Sequence, residues 1–213
     1  MKKLLFFISA LAGLFFAASC EREEMAPASE NAVVTYSVEI PEIATRATGD
    51  GSNIDNLVYA VYCTEADNLE DAQNNGGLQL LYQKNYTSNP FVDGKATISF
   101  ELANDKNYLI LFWAQNDAAD AYKTDVLTNV TYAKDKYLSN NENMAAFYGI
   151  EFLEAEEIEK SGPMRRTELK RPFAQLNIGT MNTVDDNEYE VQLNKSKVKF
   201  TKVPTVFDVA QNT

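Results

Sequence analysis

The chain has 213 residues, with 31 acids against 19 lysines and arginines, and no histidine. A net charge of −12 repels nucleic acid and anionic lipid headgroups, so no nucleic-acid partner is expected. The absence of histidine excludes histidine triads, histidine general bases and histidine zinc sites.

The N-terminus has the layout of a secretory signal: Lys2 and Lys3, then the apolar run Leu4 to Ala18, then small residues up to Ser19. The run is too short to span a bilayer, which takes about 20 apolar residues. Cys20 follows the small residues directly, and Glu21-Arg22-Glu23-Glu24 follows Cys20. This is the arrangement of a bacterial lipoprotein, cut before the cysteine and acylated on it. Each buried CH₂ contributes about 0.8 kcal/mol, so several acyl chains on Cys20 hold a protein at a membrane. Residues 1–19 are therefore expected to be a removed signal. Their loss takes away two lysines and no acid, which moves the net charge from −12 to −14. Residues 20–31 are polar and include Pro27, as a flexible tether would.

The first strand is expected at Val34 to Ile40, where apolar residues alternate with Thr35, Ser37 and Glu39. Pro41 stops it. Ala44 to Asn53 is small and polar, an exposed loop of the kind proteases cut. Leu57 to Cys63 is apolar on both faces, which argues a central strand. Asn74-Asn75-Gly76-Gly77 signals a turn before a strand at Leu78 to Tyr86. Ala96, Ile98, Phe100 and Leu102 alternate with polar residues in an amphipathic strand. Tyr108 to Ala114 is a core strand holding Trp113, expected to pair with Ala96–Leu102 as a hairpin across a short polar loop.

Asp117 to Asn143 lacks clear alternation and is expected to be loop with short helical or strand pieces. Ala145 to Gly149 is a small apolar patch, expected to pack a long connection onto the fold. Phe152 to Lys160 is glutamate-rich and helix-prone, ended by Gly162-Pro163. Pro172 divides the stretch from Thr167 to Thr180, in which Phe173, Leu176 and Ile178 are expected to face a core. Glu188 to Leu193 and Lys197 to Val203 are further strand candidates. Alternation is still running at Val206 to Val209. Short strands, regular turns and little helix argue a mainly β, antiparallel β-sandwich with a few short helices.

Chemistry-bearing motifs are few. Cys63 is the one cysteine left once Cys20 is acylated, so no internal disulfide forms; within its strand it is a small buried residue. No phosphate-binding glycine loop occurs. Asp50-Gly51-Ser52-Asn53-Ile54-Asp55 lacks the closing glutamate of a calcium loop and is expected to be a turn. Asp185-Asp186-Asn187-Glu188 is treated alike, so no metal or cofactor is expected. No nucleophile–base pairing stands out, and the chain is not expected to be an enzyme. The 11 tyrosines either line a sugar-binding platform or fill strand edges and core.

Several segments together resemble one family. They are Cys20 with its acids, Ile43-Ala44-Thr45-Arg46-Ala47, Tyr59-Ala60-Val61-Tyr62, the segment Arg171 to Thr180, and Val203-Pro204-Thr205-Val206-Phe207. In that order they resemble the fimbrillin-like lipoproteins of Bacteroidetes, the subunits and anchors of type V pili. The resemblance implies two transthyretin-like sandwich domains. The first would be residues 32–193, and residues 194–213 would open an incomplete second. It implies a surface-exposed, lipid-anchored place at the cell outer membrane, or in a fimbrium after processing. It also implies cleavage by an arginine-specific protease at Arg46–Ala47, loss of the first strand, and its replacement by a strand of another pilus subunit. Main-chain hydrogen bonds then supply affinity and alternate side chains supply register. The alternative expectation is a glycan-binding surface lipoprotein on the same sandwich, with its host or glycan ligand unknown.

Overall fold

The computed structural model describes residues 31–41, 51–75, 77–133, 141–159, 164–173 and 204–213. In chain order these form β1 (Asn31–Glu39), β2 (Asn56–Thr64), α1 (Leu69–Asn75), β3 (Gln79–Tyr86), β4 (Lys95–Ala103), β5 (Asn107–Gln115), β6 (Tyr122–Lys123), β7 (Val130–Tyr132), β8 (Ala146–Leu153), α2 (Ala155–Glu159), β9 (Arg165–Glu168) and β10 (Val206–Phe207). The fold is mainly β, as the alternation and turns imply.

The strands form three sheets, ordered β4-β1-β9, β3-β2-β5-β8 and β10-β7-β6. The four-stranded sheet is antiparallel throughout and lies in the middle. One core joins it to the β4-β1-β9 sheet. Val34, Tyr36 and Val38 of β1 and Ile98 and Phe100 of β4 meet Tyr59, Val61, Ile110 and Phe112 there. A second core lies on the opposite face, where Val58, Tyr62, Leu109, Leu111 and Trp113 are covered by Tyr122, Leu127, Val130 and Phe207. This explains the sequence of β2 and β5. Both strands are buried along nearly their whole length, and only an unbroken apolar run satisfies two covered faces. β4 has one wet face, and its residues alternate strictly between exposed and buried.

The β4–β5 hairpin does not form. β4 pairs with β1, while β5 lies between β2 and β8 in the other sheet. The connection is a corner rather than a hairpin turn. Tyr108 Oη donates to the Ala103 carbonyl (3.0 Å), Asn107 Nδ2 donates to the Ala66 carbonyl (2.8 Å), and Asn107 Oδ1 accepts the Ala155 N–H (2.8 Å). The physical reason is that this corner carries the chain from one sheet to the other, where both edges of β5 are filled by strands distant in sequence, β2 and β8.

The patch at Ala145–Gly149 is also more than a packed connection. Its residues 146–149 open β8, an eight-residue strand paired to β5. Gly149 lets Leu169 pack closely there: a Cβ would lie 2.8 Å from Leu169 Cδ2, so any larger residue would have to push that side chain aside. Helix α1 was not expected from the sequence. Asn68 caps it, accepting the Asp71 N–H at 2.9 Å, while its own amide donates to Asp71 Oδ2 at 2.8 Å. Of the stretch Phe152 to Lys160, Ala155–Glu159 forms α2, whose Ile158 is buried in the first core, while Phe152 and Leu153 end β8.

The turn expected near Gly51 forms, with Gly51 at φ +83° and its carbonyl accepting the Ile54 N–H at 3.1 Å. Cys63 is buried in the first core, as its strand position implies. Phe173 is half-buried against the second core. Leu176, Ile178 and the strand candidates Glu188–Leu193 and Lys197–Val203 lie outside the described residues. Val206–Phe207 pairs antiparallel with β7, and Val209 and Ala210 are buried in the second core.

Candidate functional site

The site is the place that β1 occupies. β1 is the middle strand of its sheet, antiparallel to β4 along all nine residues, from Asn31↔Ala103 to Glu39↔Lys95. On its other side Tyr36 to Glu39 run parallel to β9, in register Tyr36↔Arg165 to Glu39↔Glu168. The Leu169 N–H continues that ladder to the Glu39 carbonyl (2.8 Å), and the Ile40 N–H donates to the Gly94 carbonyl (2.9 Å). Alternation sends Val34, Tyr36 and Val38 inward, each at most 1 % exposed. Tyr36 stacks on Phe100 at 5.9 Å between centroids and meets Phe112 at 5.6 Å. Its hydroxyl is buried and has no hydrogen-bond partner among the described residues. Burial, with the nearby Glu151 and Glu157 carboxylates, raises the phenol pKa well above its usual range, and Arg165 only partly opposes this.

The outward residues of β1 are Val33, Thr35, Ser37 and Glu39. Glu39 ends the strand between two cations from different neighbours. Its Oε1 lies 3.4 Å from Lys95 Nζ on β4, and its Oε2 lies 2.6 Å from Arg166 Nη2 on β9. The Ser37 hydroxyl donates to the same Oε1 at 3.2 Å. Burial pushes the Glu39 carboxyl upward, but Lys95 and Arg166 outweigh it and hold its pKa below the usual value. The sequence put Glu39 on the outer face but gave no sign of this clamp.

Beyond β9, Lys170 exchanges both backbone hydrogen bonds with Tyr148 of β8, each 2.8 Å. The segment from Arg165 to Lys170 thus ties the β1 sheet to the central sheet. A cleft of about 340 Å³ opens beside this tie, lined in part by Tyr148, Glu151, Arg166, Glu168, Lys170 and Asn212. Burial raises the Glu151 carboxyl pKa, and a hydrogen bond from Thr167 opposes the rise. Tyr148 Oη is hydrogen-bonded to Asn212 Oδ1.

Cys20, Arg46 and Ala47 lie outside the described residues. The flanks of the segment carrying Arg46 are described, and they meet: a Cβ on Gly51 would stand 2.7 Å from Ile40 Cγ2. The chain therefore leaves β1 and returns at a neighbouring point. The described tyrosines are all buried or half-buried and fill core and strand edges.

Fold and site together define a layered, mainly β protein whose first described strand is an interior, core-forming strand. Residues 26–213 match the model of a family of unknown function, DUF6562, and the chain belongs to that family. No curated protein matches it in sequence. Among solved structures it is similar to a candidate polysaccharide-binding protein (DUF1812) of Bacteroides thetaiotaomicron. Identity there is 16 % and the TM-score 0.38, over 65 % of this chain and 47 % of that one. It is also similar to a fimbrial assembly protein of Parabacteroides distasonis, at 13 % identity and a TM-score of 0.35, over 67 % of this chain and 54 % of that one. The chain thus matches about half the length of each.

Proposed function

We propose that this chain is a lipid-anchored protein of the cell outer membrane, a non-catalytic fimbrillin-like subunit or anchor that assembles by exchanging β1 for a strand of another subunit. The observation that carries this reading is the position of β1. It is a middle strand that supplies Val34, Tyr36 and Val38 to the core, and it is the first described strand, directly before the segment that carries Arg46. Taking it out would leave a slot between β4 and β9 with two backbone edges and an apolar floor, which is what strand addition uses. The meeting of Ile40 and Gly51 fits a cut between them, because the cut ends stay close and β1 stays bound until it is displaced. Cys20 supplies the membrane attachment in this reading. The same reading has residues 194–213 open a second sandwich; the part described, 204–213, rests on the first body through β10.

The test is to shear filaments from cells that make the full chain and to sequence the N-terminus of the protein they contain. The expected start is Ala47. Protein that stays lipidated at Cys20 and uncut, yet is found at filament bases, makes it an anchor. Lipidated, uncut protein that never co-purifies with filaments overturns the pilus reading.

A further inference from the structure

The slot carries a charge as well as an apolar floor. Lys95 and Arg166 come from strands on opposite sides of β1 and converge on one carboxylate. The Glu39 side chain is 10 % exposed, while those of Lys95 and Arg166 are 57 % and 67 % exposed. The acid is thus the enclosed member, and the cations reach over it from the rims. Without a carboxylate at this point, two positive groups would flank the end of the slot with nothing between them, and like charges held close are unfavourable. The nearest acid on β9, Glu168, is exposed and paired in register with Glu39 itself.

We propose that the slot selects its occupant by an acid. The incoming strand of another protein carries apolar side chains at the positions of Val34, Tyr36 and Val38, the middle one aromatic, and a carboxylate immediately after the last. This rests on the strand-exchange reading and adds the chemistry of the partner. The register fixes its direction, antiparallel to β4 and parallel to β9. The apolar positions hold the strand. The acid sets its depth, because a slip of two residues keeps the same side chains inward yet moves the carboxylate off the clamp.

The test uses the full chain with a specific protease site placed within 42–50, folded intact, cut, and freed of the cut strand by gel filtration in mild denaturant. Fluorescent peptides spanning residues 31–41 are added, in native form and as Glu39→Gln and Glu39→Lys variants, and their entry is followed by anisotropy. The native peptide is expected to enter, the Gln peptide to bind on the order of tenfold more weakly, and the Lys peptide to be weaker still. An Arg166→Glu protein is expected to restore binding of the Lys peptide. Equal entry of the three peptides into the otherwise unaltered protein overturns the acid requirement and leaves strand exchange standing. Failure of every peptide, the native one included, overturns strand exchange and this inference with it.

Discussion

β1 and β4 are built on nearly the same sequence, and they have opposite roles. β1 carries Thr35-Tyr36-Ser37-Val38-Glu39; β4 carries Thr97-Ile98-Ser99-Phe100-Glu101. Within these five residues each strand sends two apolar side chains into the first core and then an acid outward. The two strands pair with each other, with Thr35 opposite Ser99 and Tyr36 opposite Ile98. Yet Glu39 is buried between Lys95 and Arg166, while Glu101 is exposed opposite Val33. The difference comes from β9, which flanks β1 and not β4. Local sequence decides which way a side chain points. The neighbour, supplied from far along the chain, decides what it meets.

The largest expected effect separates the two strands at their inner faces. Tyr36→Ala removes an aromatic ring in contact with Phe100 and Phe112 and should cost about 4 kcal/mol; Ile98→Ala, directly opposite, should cost about 3 kcal/mol. Denaturant unfolding of the two variants checks this. Since they share a cavity, the double variant should lose less than the two costs combined. Tyr36→Phe should move the other way. It deletes a buried hydroxyl that has no partner among the described residues, so a gain of about 1 kcal/mol is expected. The same change at Tyr108, whose hydroxyl donates to the Ala103 carbonyl, should instead lose about 1 kcal/mol. Equal effects at the two tyrosines would mean that the Tyr36 hydroxyl has a partner after all.

How much of this was legible in the sequence depended on what each strand touches. β4 could be read because one face is wet and writes a period of two. β2 could be read as central because nothing polar interrupts it. The pairing of β4 with β5 was misjudged because nearness in sequence suggests a hairpin, whereas Asn107 and Tyr108 hold a corner between sheets. β8 was hidden by Gly149, which looks like a turn residue but sits in mid-strand against Leu169. The clamp on Glu39 was invisible, because Arg166 lies on a strand that the sequence never suggested would pair with β1. Cys20 and Arg46 are a different case: the sequence marks them as candidate sites, and both lie outside the described residues.

A smaller effect is expected at the two acids. Glu39→Gln should destabilise the fold and loosen β1, seen as faster amide exchange along Tyr36–Glu39. Glu101→Gln should change stability by no more than about 0.5 kcal/mol, as exposed positions do. The Glu39 clamp should also show in the pH dependence. The folded Glu39 pKa is depressed, so its contribution is present above the unfolded carboxylate pKa and is lost as pH falls through the lower folded value. Stability measured from neutral to acid pH should therefore fall less in Glu39→Gln than in the unaltered protein. A Glu39→Gln profile that overlaid that of the unaltered protein would mean the clamp contributes nothing to holding β1.

The smallest expected effect lies where the two strands are most alike. Thr35 Oγ1 and Ser99 Oγ are 2.8 Å apart on the exposed face. Water competes for both hydroxyls there, so the bond between them should be worth only a few tenths of a kcal/mol. Thr35→Val alone cannot measure it, because valine also improves strand propensity and offsets the loss. A double-mutant cycle with Ser99→Ala removes that confounding effect, and its coupling energy should be about 0.3 kcal/mol. The comparison sharpens if this coupling stays small while Glu39 responds to acid. The hold on β1 would then come from its inner side chains and its terminal clamp, with its outer polar pairs contributing little. A coupling well above 1 kcal/mol would instead make the β1–β4 outer face part of the lock. An incoming strand would then need a hydroxyl at the Thr35 position as well as an acid at that of Glu39.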